Sequence, residues 1–141
     1  MILNQGWKFN TLAKQLHHWE NIGFDAADVL QYSGTSEVLK NAFVLLRDRQ
    51  LRRITLCIRG SSSIKDFCTS FTAVPMEFTA RDSDDKPVVG YAHLGATLAS
   101  WWLYDRLRGE LEAHLSANPG WTLQLTGHSI GVACASLLSM R

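Results

Sequence analysis

The spacing of apolar residues divides the chain into segments of different period. Between Asn10 and Glu20, Leu12, Leu16 and Trp19 recur at helical spacing, which gives that stretch one face to pack on a neighbour. Asp25 reads as the cap of a short second helix through Val29 and Leu30, with Gly34 as its stop. Residues 1–40 are therefore expected to form an N-terminal helical segment. His17 and His18 flank the apolar stripe and read as solvated or hydrogen-bonded side chains. From Asn41 the period shortens. Asn41–Arg47 and Arg53–Arg59 are apolar runs rich in strand formers, and Asp48, Arg49 and Gln50 lie between them, which predicts an antiparallel hairpin. The small, polar cluster Arg59-Gly60-Ser61-Ser62-Ser63 follows, and then Ile64–Ser70, which fits a short helix.

Arg81–Pro87 mixes charges and predicts a surface loop. The strongest helical signal comes next: Leu94, Leu98, Trp101, Tyr104, Leu107, Leu111 and Leu115 step by three and four, until Asn118-Pro119-Gly120 stops the run. Trp121–Thr126 alternates as a strand, and Gly131–Arg141 reads as a helix of small residues. Strands alternating with helices favour an α/β sheet with parallel members.

Composition narrows the classes of function. The chain has 141 residues, of which 46% are apolar and 19% charged, the balance of a globular core. Its formal charge is +1, from 14 basic and 13 acidic residues, so no field of one sign is available to gather nucleic acid, and no such partner is expected. Cys57, Cys68 and Cys134 are widely spaced, with no C-x-x-C and no histidine cluster beside them. They read as reduced, buried thiols in a reducing compartment, and neither a metal site nor a cofactor is expected. The N-terminus lacks a basic start followed by an apolar stretch, so no signal peptide is expected and the location is read as cytoplasmic or peripheral to a membrane. Ser116–Met140 carries no formal charge and is long enough to cross a bilayer, but its polar and glycine interruptions predict a buried strand, a turn and a buried helix.

The candidate chemistry lies in Thr126-Gly127-His128-Ser129-Ile130-Gly131, a G-x-S-x-G set between a predicted strand and a predicted helix. A nucleophilic serine needs a turn sharp enough to thrust its Oγ past the sheet edge, and glycines on either side remove the Cβ atoms that would collide. The turn would deliver Ser129 to a helix N-terminus, where the Ile130 N–H and the helix dipole favour a developing negative charge. The pentapeptide alone is weak, arising by chance in roughly one chain of this length in twenty at ordinary Gly and Ser usage. Its placement between strand and helix strengthens it. Acyl transfer also needs a second oxyanion donor from a loop leaving a neighbouring strand, and Gly60 and Ser61 suit that role, although a plain serine-rich turn explains them equally well.

Three segments together resemble the class 3 (fungal-type) lipases, most closely the diacylglycerol-lipase-like branch. Ile54-Thr-Leu-Cys-Ile-Arg-Gly-Ser-Ser-Ser-Ile-Lys-Asp66 is similar to that family's strand and Arg-Gly-Ser/Thr segment, Gly90-Tyr-Ala-His-x-Gly95 to its His-x-Gly segment, and Leu125–Gly131 to its nucleophile turn. The resemblance spans about residues 42–141 and keeps the family order. It implies a partial α/β-hydrolase fold, a central, mostly parallel sheet with helices on both faces and the C-terminal strands missing, with residues 41–141 as the N-terminal part of that domain. It implies Ser129 as nucleophile, with Ser61 and Ile130 as oxyanion residues, and a lipid ester as substrate, with membrane contact at most peripheral. Residues 64–71 fall where fungal members carry a lid, and Phe67, Phe71, Val74, Met76 and Phe78 become candidates for an acyl groove or, singly, for core. Val132 replaces a common second glycine and is expected to crowd its helix, while Ser70 and Ala96 also depart from the family pattern.

A serine hydroxyl needs a base, and the base needs an orienting acid. In α/β-hydrolases both follow the serine, yet Ile130–Arg141 contains no Asp, Glu or His. His128, His93 and His114 are weak substitutes on position alone. The chain is accordingly expected to be a shortened form with little turnover by itself. The rival readings are a catalytically inactive fragment that binds lipid or protein, and another G-x-S-x-G acyl hydrolase such as a thioesterase or peptidase. Oligomeric state is left open.

Overall fold

The computed structural model describes residues 23–60 and 74–141. The expected helix at Asn10–Glu20 and the segment from Ser61 to Ala73 lie outside these residues. Asp25 does cap, its side chain accepting from the Ala27 N–H at 3.1 Å, but the helix it starts is a single 3₁₀ turn, Ala26–Asp28. The expected continuation through Val29 and Leu30 is instead a strand, β1 (Val29–Ser33). Val29-Leu-Gln-Tyr-Ser33 has no intrinsic obligation to be helical. Pairing with an available strand edge satisfies its amides.

That edge belongs to β2 (Phe43–Asp48), which forms the predicted antiparallel hairpin with β3 (Arg53–Ile58) in a register from Phe43 opposite Ile58 to Asp48 opposite Arg53. Asp48 closes the hairpin by accepting from the Leu51 N–H at 2.9 Å and from Arg53 Nε at 3.1 Å. A second hairpin, β4 (Pro75–Arg81) with β5 (Pro87–His93), stands as a separate two-stranded sheet. The predicted Arg81–Pro87 loop is its turn, in which Asp82 Oδ1 accepts from the Asp84 and Lys86 amides, each at 2.9 Å. Phe78 is buried, consistent with a core role, whereas Val74 is exposed.

The long helix α1 (Leu94–Ala117) then returns the chain to β6 (Thr122–Gly127), which is followed by α2 (Ile130–Ser139). His93 caps α1, its Nδ1 accepting from the Ala96 N–H at 3.4 Å, while Asn118 ends it by donating from Nδ2 to the His114 carbonyl at 2.8 Å. The main sheet runs β1-β2-β3-β6. It is mixed rather than mostly parallel among the described residues: β1, β2 and β3 are joined antiparallel, and β3 with β6 is the parallel pair. Only the connection through α1 is long enough to bring the chain back in the same direction.

Phe43, Leu45, Ile54, Leu56 and Ile58 share the sheet face that packs against Ala96, Ala99, Leu103 and Leu107 of α1 and Cys134, Ala135 and Leu138 of α2. Leu45, Ile54 and Leu56 are fully buried, each contributing about 1.5–3 kcal/mol by leaving water. α1 and α2 touch one another across this same face, so among the described residues the helices lie on one side of the sheet rather than both. Residues 116–140 comprise the end of α1, β6, the turn and α2, and no helix of the described residues is long and apolar enough to cross a membrane.

Candidate active site

β6 ends at Gly127 and α2 begins at Ile130, so only His128 and Ser129 make the reversal from strand to helix. The strain falls on Ser129. Its φ of 56° and ψ of −127° lie in a region that side chains rarely enter, and such strain persists only where the surroundings over-determine it. Here they do. The His128 N–H donates to the Ile58 carbonyl at 3.3 Å, the Gly131 N–H to the His128 carbonyl at 2.9 Å and the Val132 N–H to the Ser129 carbonyl at 2.9 Å.

Close approach of three backbones completes the lock. A methyl on Gly127 would overlap the Gly131 carbonyl, and one on Gly131 would overlap the Ile58 carbonyl oxygen and stand 3.2 Å from the Arg59 carbonyl carbon. The ends of β6 and β3 and the start of α2 can converge only because both residues lack Cβ. Val132, by contrast, is exposed, so the crowding expected of it does not occur: its side chain points off the helix into solvent.

The turn leaves Ser129 exposed beside the buried Gly60. A methyl on Gly60 would stand 3.0 Å from Ser129 Cβ and 3.6 Å from Ser129 Oγ, so the segment leaving β3 runs alongside the hydroxyl. Ile130 supplies the first amide of α2, one of the N–H groups that a helix cannot satisfy internally and that carries its positive end. The structure thus brings Ser129, Ile130 and Gly60 together; Ser61 lies outside the described residues.

A cavity of about 600 Å³ adjoins the turn, lined by Tyr32, Val44, Cys57, Arg59, Thr126 and His128 among others. Val44, Cys57 and Thr126 are register partners across three strands, which places them on the sheet face opposite Leu45 and Leu56. No sequence signal marked this cavity, because its lining is drawn from four strand ends far apart in the chain.

The three histidines among the described residues lie at different points of the fold. His93 caps α1, His114 lies 4.0 Å from Glu110 on α1, and His128 is exposed at the turn. Burial raises the Cys57 thiol despite the opposing Arg53 charge, and burial pushes the Cys134 thiol up to about 12. Both are free thiols. Asp28, on which Arg49 and Arg47 converge at 2.7 and 3.1 Å, shows the opposite balance. Burial works to raise its carboxyl, but the two guanidinium hydrogen bonds and charges prevail and hold it below the usual range.

This combination, a parallel strand, a strained serine and a helix start beside a glycine of the neighbouring strand's loop, defines the α/β-hydrolase class. Solved structures agree on the fold. The triacylglyceride lipase of Rhizomucor miehei is 22% identical, with a TM-score of 0.63 over 79% of this chain and 40% of that one. A triacylglycerol lipase from Penicillium expansum is 19% identical, with a TM-score of 0.63 over 79% of this chain and 43% of that one. Residues 55–141, more than half of the sequence, match the family model described as Lipase (class 3), and the chain belongs to that family. Within it the chain is similar to diacylglycerol lipases: it is 27% identical over 120 residues to mouse (Mus musculus) diacylglycerol lipase-beta, a match that covers 84% of this chain and 18% of that relative. The chain therefore spans under a fifth of that relative's length and about two fifths of the fungal lipases'.

Proposed function

We propose that this chain supplies the nucleophile half of a lipid carboxylic-ester hydrolase of the acylglycerol lipase type. Ser129 Oγ attacks the ester carbonyl carbon and gives up its proton to a base; the tetrahedral oxyanion collapses, the alcohol leaves with a proton, and the acyl group stays on Ser129 until water releases it as the acid. The Ile130 amide and Ser61 hold the oxyanion. The observation that carries this reading is the strained Ser129 backbone with Gly60 set against its side chain. An idle surface serine gains nothing from that strain.

The base and its orienting acid are read as lying outside residues 130–141, which contain no Asp, Glu or His. Turnover by the isolated 141-residue chain is therefore expected to be at or near background. The test pairs fluorophosphonate labelling with hydrolysis of carboxylic esters, thioesters and peptides, using this chain, a form extended through a downstream Asp and His, and Ser129→Ala of each. The reading expects ester turnover and labelling in the extended form only, both lost in Ser129→Ala. Labelling that survives Ser129→Ala overturns the nucleophile assignment, robust turnover by the short chain overturns the external base, and preference for thioesters or peptides overturns the substrate class.

A further inference from the structure

We propose that Asn41 is a positioning residue that sets the direction of the Gly60 amide beside Ser129; the inference rests on the reading of that site as an acyl-transfer centre. Asn41 immediately precedes β2 and is only 6% exposed. Its Nδ2 donates to the Arg59 carbonyl at 2.9 Å, and its Oδ1 faces Cys134 Sγ of α2 at 3.9 Å. One side chain thus ties together the entry to β2, the exit from β3 and the helix that follows the serine.

The target of the first bond matters. The Arg59 carbonyl and the Gly60 N–H belong to the same planar peptide, so fixing the oxygen fixes where the N–H points. The Arg59 N–H is held as well, donating to the Ala42 carbonyl at 2.8 Å. Asn41 and Ala42 therefore grip Arg59 from both sides, one residue beyond the Phe43–Ile58 pair where the hairpin register ends. Gly60 has little room to tilt without moving relative to Ser129, because any Cβ there would stand 2.8 Å from the His128 carbonyl oxygen and 3.0 Å from Ser129 Cβ.

The amide is suited to this place because it donates on one arm and accepts on the other. The Cys134 thiol is protonated at ordinary pH, burial having pushed it up to about 12, so it can offer its S–H to Oδ1, and that contact turns Nδ2 toward Arg59. A carboxylate of the same shape keeps the acceptor and loses the donor. An apolar residue of similar size loses both and strands the Arg59 carbonyl.

Amide hydrogen exchange on the 141-residue chain, read residue by residue by NMR, tests the proposal. Asn41→Asp should speed exchange at Arg59 by at least about tenfold and shift the Gly60 amide resonance, while Leu45 and Leu56 in the core strands exchange at their original rates. Cys134→Ala, which leaves the Nδ2 bond in place, should produce a smaller change at the same two residues. Asn41→Ser, short enough for water to replace the amide, provides the same comparison should the buried carboxylate prevent folding. An equal rise in exchange at Arg59, Leu45 and Leu56 would make Asn41 a general stabiliser and overturn the proposal, as would unchanged behaviour of Arg59 and Gly60. None of these readouts requires Ser129 to react, so an error in the nucleophile assignment shows in the labelling experiment and not in this one.

Discussion

Replacing Gly131 by alanine tests the packing on which the Ser129 turn depends. The added methyl would overlap the Ile58 carbonyl oxygen and stand 3.0 Å from the Ile58 carbonyl carbon and 3.2 Å from that of Arg59. All three are backbone atoms at the end of β3, where Ile58 also accepts the His128 amide, so no side-chain rotation relieves the overlap. Either α2 backs away from β3 or β3 loses its last turn contacts. Overpacking of this kind costs about 1–3 kcal/mol, and the rigid backbone at the end of β3 puts this site at the upper end of that range. Gly109 provides the control, since it lies exposed in α1 with nothing within 4 Å of a methyl. There Gly109→Ala should stabilise by about 0.5–1 kcal/mol through helix propensity alone. Urea unfolding followed by circular dichroism, with equal slopes in all three proteins, measures both changes. If Gly131→Ala lies within about 0.5 kcal/mol of the parent protein, the convergence of backbones described for this turn is wrong.

Ser129→Gly should be more stable than Ser129→Ala by about 1–2 kcal/mol in urea titration, because only glycine relaxes at a φ of 56° and ψ of −127°. Equal stability would mean that the turn stores no strain. The Asp28 carboxyl is held below its ordinary 3.8 in the folded state, so its contribution is complete above that value and is lost as pH falls through the lower folded one. Asp28→Asn should therefore destabilise near neutral pH, and its gap from the parent should close in strong acid; a gap independent of pH refutes the arginine pairing. With Cys134 pushed up to about 12 from 9.0, its thiolate is about a thousandfold scarcer than that of an ordinary thiol. Iodoacetamide should alkylate Cys134 only after unfolding, and rapid modification of the native chain, located by peptide mass mapping, would contradict its burial.

The sequence by itself determined those features that are encoded over a few neighbouring residues. The apolar steps from Leu94 to Leu115 specify α1, Asn118-Pro119-Gly120 its end, and the two apolar runs about Asp48 the β2–β3 hairpin. The two glycines about Ser129 specify the sharp turn, since few other residues tolerate such close backbones. The β4–β5 hairpin was partly legible: Met76, Phe78 and Ala80 alternate with Glu77 and Thr79, but Pro87–His93 is mostly exposed and has no such alternation. Only the tertiary structure decided the rest. Val29–Ser33 became a strand because β2 offered an edge, and Thr55 met Gln124 across 69 residues of chain to make the parallel pair. Asn41 reached Cys134 across 93 residues and gave no local sign of doing so. Periodicity records which face of an element avoids water, and turn chemistry records where the chain reverses. Neither records which distant surface will complete that face, because the choice is made by the packing of all the elements together.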